Sequence, residues 1–299
     1  MTPRRSPRPG PRPSPRPGSR RFAPLLAIVG VVAVALVGLA LVLRQSGGQT
    51  AWARLETQDV HSLAFVGGDT QHLLFGHHGG LRESRDGGQT WTDLPVPADA
   101  MAMVPAGDGS IVIAGHDVFT ASRDGGRTWA PIAADLPNLD IHGFTRDPAD
   151  PARMWAFLAT GGLWQSTDFG AHWTRVRQDN IIYPLAIRAG AITTLLGVDV
   201  TGLVTSADGG GTWTPLGAPP TYPLTSLAAT PDGRILFAGS PDGLFRSSDG
   251  GRTWAKTGYV GSAFAIAVSA DGAVVALVSK EAEFFRSADG GGSWPGPTR

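Results

Sequence analysis

An all-β, six-bladed propeller of four-stranded antiparallel blades, preceded by one transmembrane helix, is the fold class the sequence predicts. Three observations predict it. The motif Ser-x-Asp-x-Gly-x-x-Trp recurs six times between Ser84 and Trp294. Its copies start 38, 44, 40, 41 and 40 residues apart, and about 40 residues is the length of a four-stranded blade. Ahead of them, Phe22 to Leu43 runs 22 residues without a charge. Seven blades are the alternative count.

Taken in order, residues 1–21 are built from Pro, Arg, Ser and Gly, with no large apolar side chain after Met1. Such a segment cannot bury enough surface to offset chain ordering, so a disordered cytoplasmic tail is expected. Residues 22–43 are long enough to span a hydrocarbon core of roughly 30 Å as a helix. Seven Arg precede this stretch and one follows, which puts the N-terminus in the cytoplasm and the rest of the chain outside. A cleaved signal peptide is the rival reading, with Gly38-Leu39-Ala40 as its cleavage site, but its apolar core would run to only about 7 to 15 residues. Residues 44–50 form a polar juncture, and the propeller occupies 51–299.

Within the propeller each repeat reads as short apolar runs punctuated by Asp-Gly and Gly-Gly turns, the signals of strands and hairpins. Blade one has runs at His61 to Val66, His72 to Gly76, Leu81 to Ser84 and Thr90 to Leu94. Blade five repeats them from Ser226 onward. The last blade lacks room for its own outer strand, because Pro295 and Pro297 follow Trp294 and cannot donate ladder hydrogen bonds. Trp52 to Leu55 is expected to supply it and close the ring.

The motif explains itself chemically. Asp accepts backbone N–H groups in a tight turn, and Gly takes the left-handed conformation other residues resist. Ser ties the turn to the strand before it, and Trp buries a large ring whose N–H wants one partner. The structural set is Ser84, Asp86, Gly88 and Trp91; Ser122, Asp124, Gly126 and Trp129; Ser166, Asp168, Gly170 and Trp173; Ser206, Asp208, Gly210 and Trp213; Ser247, Asp249, Gly251 and Trp254; and Ser287, Asp289, Gly291 and Trp294. One carboxylate per copy does not make a calcium loop, which wants about six to eight oxygens.

On these residues the chain resembles the Asp-box (bacterial neuraminidase repeat) proteins across residues 51–294, a group that includes sialidases, xyloglucan-active endoglucanases, sortilin-type receptors and photosystem assembly factors. Asp147-Pro148-Ala149-Asp150-Pro151 resembles the DPxDP turn of the xyloglucanase and sortilin branches. The resemblance implies a propeller with turns remote from any active site. It selects no activity, because one fold hosts many.

Totals narrow the function. Eight of the 25 basic residues fall in residues 1–44, leaving 17 against 25 acids beyond them. A mildly acidic domain is a poor partner for nucleic acid. With no cysteine, disulfides and thiolate chemistry are excluded.

Topology then sorts the polar residues. In a four-stranded meander all six motif turns share one face, and the links between second and third strands and between blades share the other. That second face receives His61, His77, His78, His116 and His142, with Tyr183, Tyr222 and Tyr259 just before first strands. Asp59, Asp99, Asp117, Asp140, Asp199, Asp242 and Glu281 join them, whereas His72 and His172 fall on the motif side. The expected ligand-face residues are His61, His77, His116, His142, Tyr183, Tyr222 and Tyr259. Most arginines lie in motif turns or away from this face, only Arg177 is well placed, and four Glu leave little for a Tyr–Glu pair. Sialidase activity is therefore not expected. A two-carboxylate glycosidase needs acids about 5 to 9.5 Å apart; Asp59 and Asp140 are the candidates. A metal between His61 and His142 is a third reading; the two share no helix or i, i+4 spacing, and no metal or cofactor is assigned. The expected role is a membrane-anchored, extracytoplasmic binding or scaffold module for a glycan, peptide or envelope partner, with a glycoside hydrolase as the alternative.

Overall fold

The computed structural model describes Gly10 and residues 49–297, except 95, 97, 98, 180 and 190. The expected tail and transmembrane helix lie outside the described residues, among which no helix is long and apolar enough to cross a membrane. The chain divides into two units, residues 1–46 and 47–299, and every described strand belongs to the second.

That unit is a six-bladed propeller, each blade one four-stranded antiparallel sheet. The chain opens with β1 (Ala53–Arg54). Blade one comes next as β2 (Ser62–Val66), β3 (Asp69–His77), β4 (Gly80–Ser84) and β5 (Thr92–Leu94). Blade two is β6 (Ala102–Pro105), β7 (Ile111–Gly115), β8 (Val118–Ser122) and β9 (Ala130–Pro131). Blade three is β10 (Ile141–Arg146), β11 (Met154–Leu158), β12 (Gly162–Ser166) and β13 (Thr174–Arg177), and blade four is β14 (Ile182–Ala189), β15 (Ile192–Asp199), β16 (Gly202–Ser206) and β17 (Thr214–Gly217). Blade five is β18 (Ser226–Ala229), β19 (Leu236–Ser240), β20 (Gly243–Ser247) and β21 (Ala255–Lys256). Blade six holds β22 (Ala265–Val268), β23 (Val275–Val278) and β24 (Glu283–Ser287). First strands of successive blades lie against one another, and β22 returns to β2, which closes the circle.

The ring closes as the sequence leads one to expect. β1 is the outer strand of blade six, with Ala53 opposite Phe284 and Arg54 opposite Glu283. The Trp52 and Leu55 amides donate to the carbonyls of Phe284 and Ala282, each at 2.8 Å. The Trp52 indole donates to the Pro295 carbonyl at 2.8 Å. Arg286 staples the seam by donating to Thr70 and Gly87 carbonyls of blade one.

Burial grades outward across each blade. Second strands such as β7 and β11 are buried along their whole length, which is why they read as unbroken apolar runs. Outer strands such as β5 and β9 are largely exposed and correspondingly polar or short. The cores lie between adjacent blades: Leu55, Phe75 and Phe284 join blades six and one, and Val112, Phe144 and Met154 join blades two and three. At about 25 cal/mol per Å² of apolar surface, these sandwiched layers are the main source of stability. One boundary differs from expectation. β3 starts at Asp69, not His72, because Gly67 and Gly68 both adopt positive φ (62° and 78°) and make a tight two-residue hairpin turn.

All six motif turns share one construction. The Ser hydroxyl donates to the Asp Oδ1 two residues on, at 2.7–2.9 Å. It also accepts the Gly amide four residues on, at 2.8–3.0 Å. Each Trp indole donates to that Gly carbonyl, at 2.8–3.1 Å. The third copy departs in Phe169, held at φ 62° with the Arg123 guanidinium 4.1 Å above its ring.

Candidate functional site

On the face opposite those turns, four histidines and three aspartates from blades one to three form an unbroken arc. At one end Asp59 Oδ2 lies 3.1 Å from His78 Nδ1, which lies 3.1 Å from His61 Nε2. Asp99 occupies the centre, with Oδ1 3.8 Å from His61 Nε2 and Oδ2 2.5 Å from His116 Nδ1. At the far end, His116 Nε2 is 3.2 Å from His142 Nε2 and 3.5 Å from Asp140 Oδ1. His142 Nε2 is 3.0 Å from the same Asp140 oxygen. Burial, and next the neighbouring His78, holds the His61 imidazole below its usual range.

Backbone features aim these side chains. His116 and Asp140 form an antiparallel bridge between blades two and three, reinforced by the Asp117 amide donating to the Leu139 carbonyl at 3.0 Å. His142 sits at a bulge: Ile141 pairs with Leu158 and Gly143 with Phe157, so His142 has no partner of its own. A bulge of this kind re-aims a side chain, and here it leaves His142 exposed between two buried neighbours. Gly115, at the end of β7, lets the link into β6 of its own blade approach. A Cβ there would stand 1.8 Å from the Asp99 carbonyl oxygen, so only glycine allows Asp99 this close to His116.

The expected ligand-face residues fare unequally. His61, His116 and His142 belong to the arc. His77 does not: its ring stacks on Phe75, and its Nδ1 accepts the Gly79 amide at 3.0 Å. Burial, then Arg82, keeps it below its usual range. Tyr222 is exposed beside the cis Tyr222–Pro223 bond. Tyr183 lies in β14 at the start of blade four. Tyr259 is corrected to a core residue, 1% exposed. Phe285 and Trp294 pack edge-on against its ring, its hydroxyl donates to the Ser262 carbonyl at 3.0 Å, and burial raises its pKa well above the usual value. Asp59 and Asp140 stand at opposite ends of the arc, each engaged by imidazole instead of by the other. Arg177 is committed to Asp199 at 3.3 Å and Asp179 at 3.6 Å.

Two participants exceeded the favoured set. Topology puts His78 and Asp99 on this face, but nothing in their local sequence singles them out. Asp99 is the keystone: it meets His116 beside the β6–β7 pairing of its own blade and faces His61 and His78 of blade one. The remaining blades give the same face a different character. Val200, Tyr222 and Val260 are exposed apolar side chains in its links, and Ile182 is exposed where β14 leaves it. The face thus carries the His/Asp arc on one side and, on the other, these apolar side chains interspersed with Arg177, Asp199, Asp242 and Glu281.

No protein-family model matches the chain, and no curated protein matches it. Solved structures do. YCF48 from Cyanidioschyzon merolae is 20% identical, with 82% of this chain and 87% of that one aligned at a TM-score of 0.51. YCF48 bound to D1 peptide is 16% identical, with 79% of this chain and 95% of that one at 0.55. The Niastella koreensis GH74 enzyme is 19% identical at 0.53, and the match spans 79% of this chain but only 46% of the enzyme. At such identities the likeness establishes the β-propeller fold and nothing finer.

Proposed function

We propose that the chain is an Asp-box propeller, anchored in a bacterial membrane by residues 22–43, that binds a peptide segment of an envelope protein on its link face. The observation that carries this reading is the make-up of that face. Of the five exposed large apolar side chains among the described residues, Ile182, Val200, Tyr222 and Val260 belong to it and only Ile192 does not. They share it with the His/Asp arc. Apolar anchors beside polar, orientable groups suit a peptide, whose side chains alternate in character and whose backbone needs hydrogen-bond partners. The neighbour matched over 95% of its length is a propeller bound to a peptide, whereas the GH74 enzyme is matched over less than half. Asp-box membership rests on the six matching turns, and the extracytoplasmic location on the arginine asymmetry around residues 22–43.

The test is an array of 15-residue peptides beside a glycan array and a panel of fluorogenic glycosides. Peptide binding reduced at least tenfold by Tyr222→Ala or Val260→Ser supports the proposal. Glycoside turnover abolished by Asp59→Asn or Asp140→Asn would replace it with the hydrolase reading, and glycan binding alone would change the ligand class.

A further inference from the structure

We propose that His116, Asp140 and His142 form a binding site for one divalent transition-metal ion of the zinc class, with Asp99 as the outer carboxylate that orients His116. The three facing atoms, His116 Nε2, His142 Nε2 and Asp140 Oδ1, make a triangle with edges of 3.0, 3.2 and 3.5 Å. Zinc sits about 2.0–2.1 Å from imidazole nitrogen and about 2.0–2.2 Å from carboxylate oxygen, which in a tetrahedron sets ligand separations of about 3.3 Å. The triangle therefore has the size of one face of that tetrahedron without rearrangement.

The hydrogen-bond geometry behind His116 fits a cation here. Asp99 Oδ2 stands 2.5 Å from His116 Nδ1, and Asp99 Oδ1 is buried with no hydrogen-bond partner. In the neutral imidazole this carboxylate favours the tautomer with the proton on Nδ1, which turns the Nε2 lone pair towards His142 and Asp140. His142 Nε2 can aim its single proton at either His116 or Asp140, not both. Three ligand atoms thus lie within 3.5 Å of one another, an arrangement a divalent cation satisfies. The carboxylate–imidazole pair behind His116 is also the usual support of a metal-bound histidine.

Preorganisation and chemistry complete the case. The His116–Asp140 bridge and the bulge at His142 hold all three ligands on backbone that is already fixed. Their side chains are 39–41% exposed, so the fourth position opens to solvent, where water or a donor from a partner can complete the shell. Two imidazoles with one carboxylate suit zinc, copper or nickel, while calcium would find one oxygen where it wants about six to eight. The adjoining group of His61, His78 and Asp99 is wider, with contacts of 3.7 and 3.8 Å to Asp99. Each nitrogen of His78 faces a different carboxylate, so that group braces Asp99 and is not a second site. The inference is independent of the peptide reading, since the ligands belong to this chain alone.

The experiment uses the purified, untagged full chain, stripped with a chelator and titrated with Zn²⁺ by calorimetry and with Co²⁺ by visible absorption. One Zn²⁺ per chain is expected, with Co²⁺ giving the intense d–d bands of a tetrahedral site. His116→Ala, His142→Ala and the gentler His142→Gln should each weaken binding at least about 100-fold while keeping a cooperative melt. Asp99→Asn should weaken it about 10- to 100-fold and shift the pH of half-saturation, with Asp99→Glu restoring part of the loss. His172→Ala, on the opposite face, should change nothing. Absence of saturable Zn²⁺ binding at millimolar metal, binding that survives the double variant His116→Ala/His142→Ala, or a preference for Ca²⁺ would overturn the assignment.

Discussion

Gly115→Ala should damage the fold and the arc together, and the structure sets the scale. The added Cβ would stand 1.8 Å from the Asp99 carbonyl oxygen and 3.2 Å from the Met101 amide nitrogen. Ordinary contact begins at 3.4 Å, so the link must retreat by about 1.6 Å, the difference between that distance and 1.8 Å. The obstacle is backbone, not the end of a flexible side chain, and overpacking of this kind costs about 1–3 kcal/mol. For a domain of this size, about 2 kcal/mol lowers the melting temperature by about 4–8 °C. A retreat of that length also exceeds what the 2.5 Å contact between Asp99 and His116 can absorb. Thermal unfolding followed by tryptophan fluorescence measures the first effect, and Zn²⁺ titration of the folded variant measures the second. Gly107→Ala is the control, because a Cβ there meets nothing within 4 Å. A Gly115→Ala melting temperature within about 1 °C of the parent, with zinc affinity unchanged, would refute the close-approach argument.

Two further predictions concern the frame. Removing residues 49–57 exposes the edge of β24 and strips Leu55 and Trp52 from the seam core; loss of a cooperative calorimetric transition is expected, and a parent-like one would contradict the closure by β1. Acid should weaken the motif turns: Asp249 is held at about 2 by the Thr253 hydroxyl and amide and then by Ser247, and Asp124 and Asp208 are lowered by the matching groups. Folded pKa values below the unfolded value of about 3.9 mean the unfolded chain takes up protons first, so stability complete above pH about 4 is lost between about 4 and 2. The denaturant midpoint measured across that range should fall with acid, less steeply in Asp249→Asn.

How much of the fold and the site was legible in the sequence depended on whether its cause was local. The motif turns were, because Ser, Asp, Gly and Trp of each copy bond chiefly to one another within eight residues. Closure by Trp52 to Leu55 was legible from the prolines after Trp294, which leave blade six one strand short. The division of histidines between faces came from topology alone. Which of them meet did not, since the approach of His61 and His78 to Asp99, and of His116 to His142, depends on offsets between blades and on a bulge that Asp140-Ile141-His142-Gly143 does not announce. Tyr259 misled for the same reason. Like Tyr222 it precedes a first strand, but Phe285 and Trp294, distant in sequence, bury its ring. DPxDP reads correctly as a turn, with Asp147 Oδ1 accepting the Ala149 amide at 2.8 Å; the Thr193 hydroxyl of blade four donating to its other oxygen at 2.7 Å is visible only in the fold.

The link face, and not the face of the repeated turns, is where this propeller should engage other species. Side-chain ¹H–¹⁵N spectra of the seven histidines test that in one measurement, recorded on the stripped protein and again with one equivalent of Zn²⁺. The ring nitrogens of His116 and His142 should shift to metal-bound values, His61 and His78 should respond weakly through Asp99, and His72 and His172 should stay in place. Shifts led by His172 or His72, or equal small shifts at all seven rings, would contradict it.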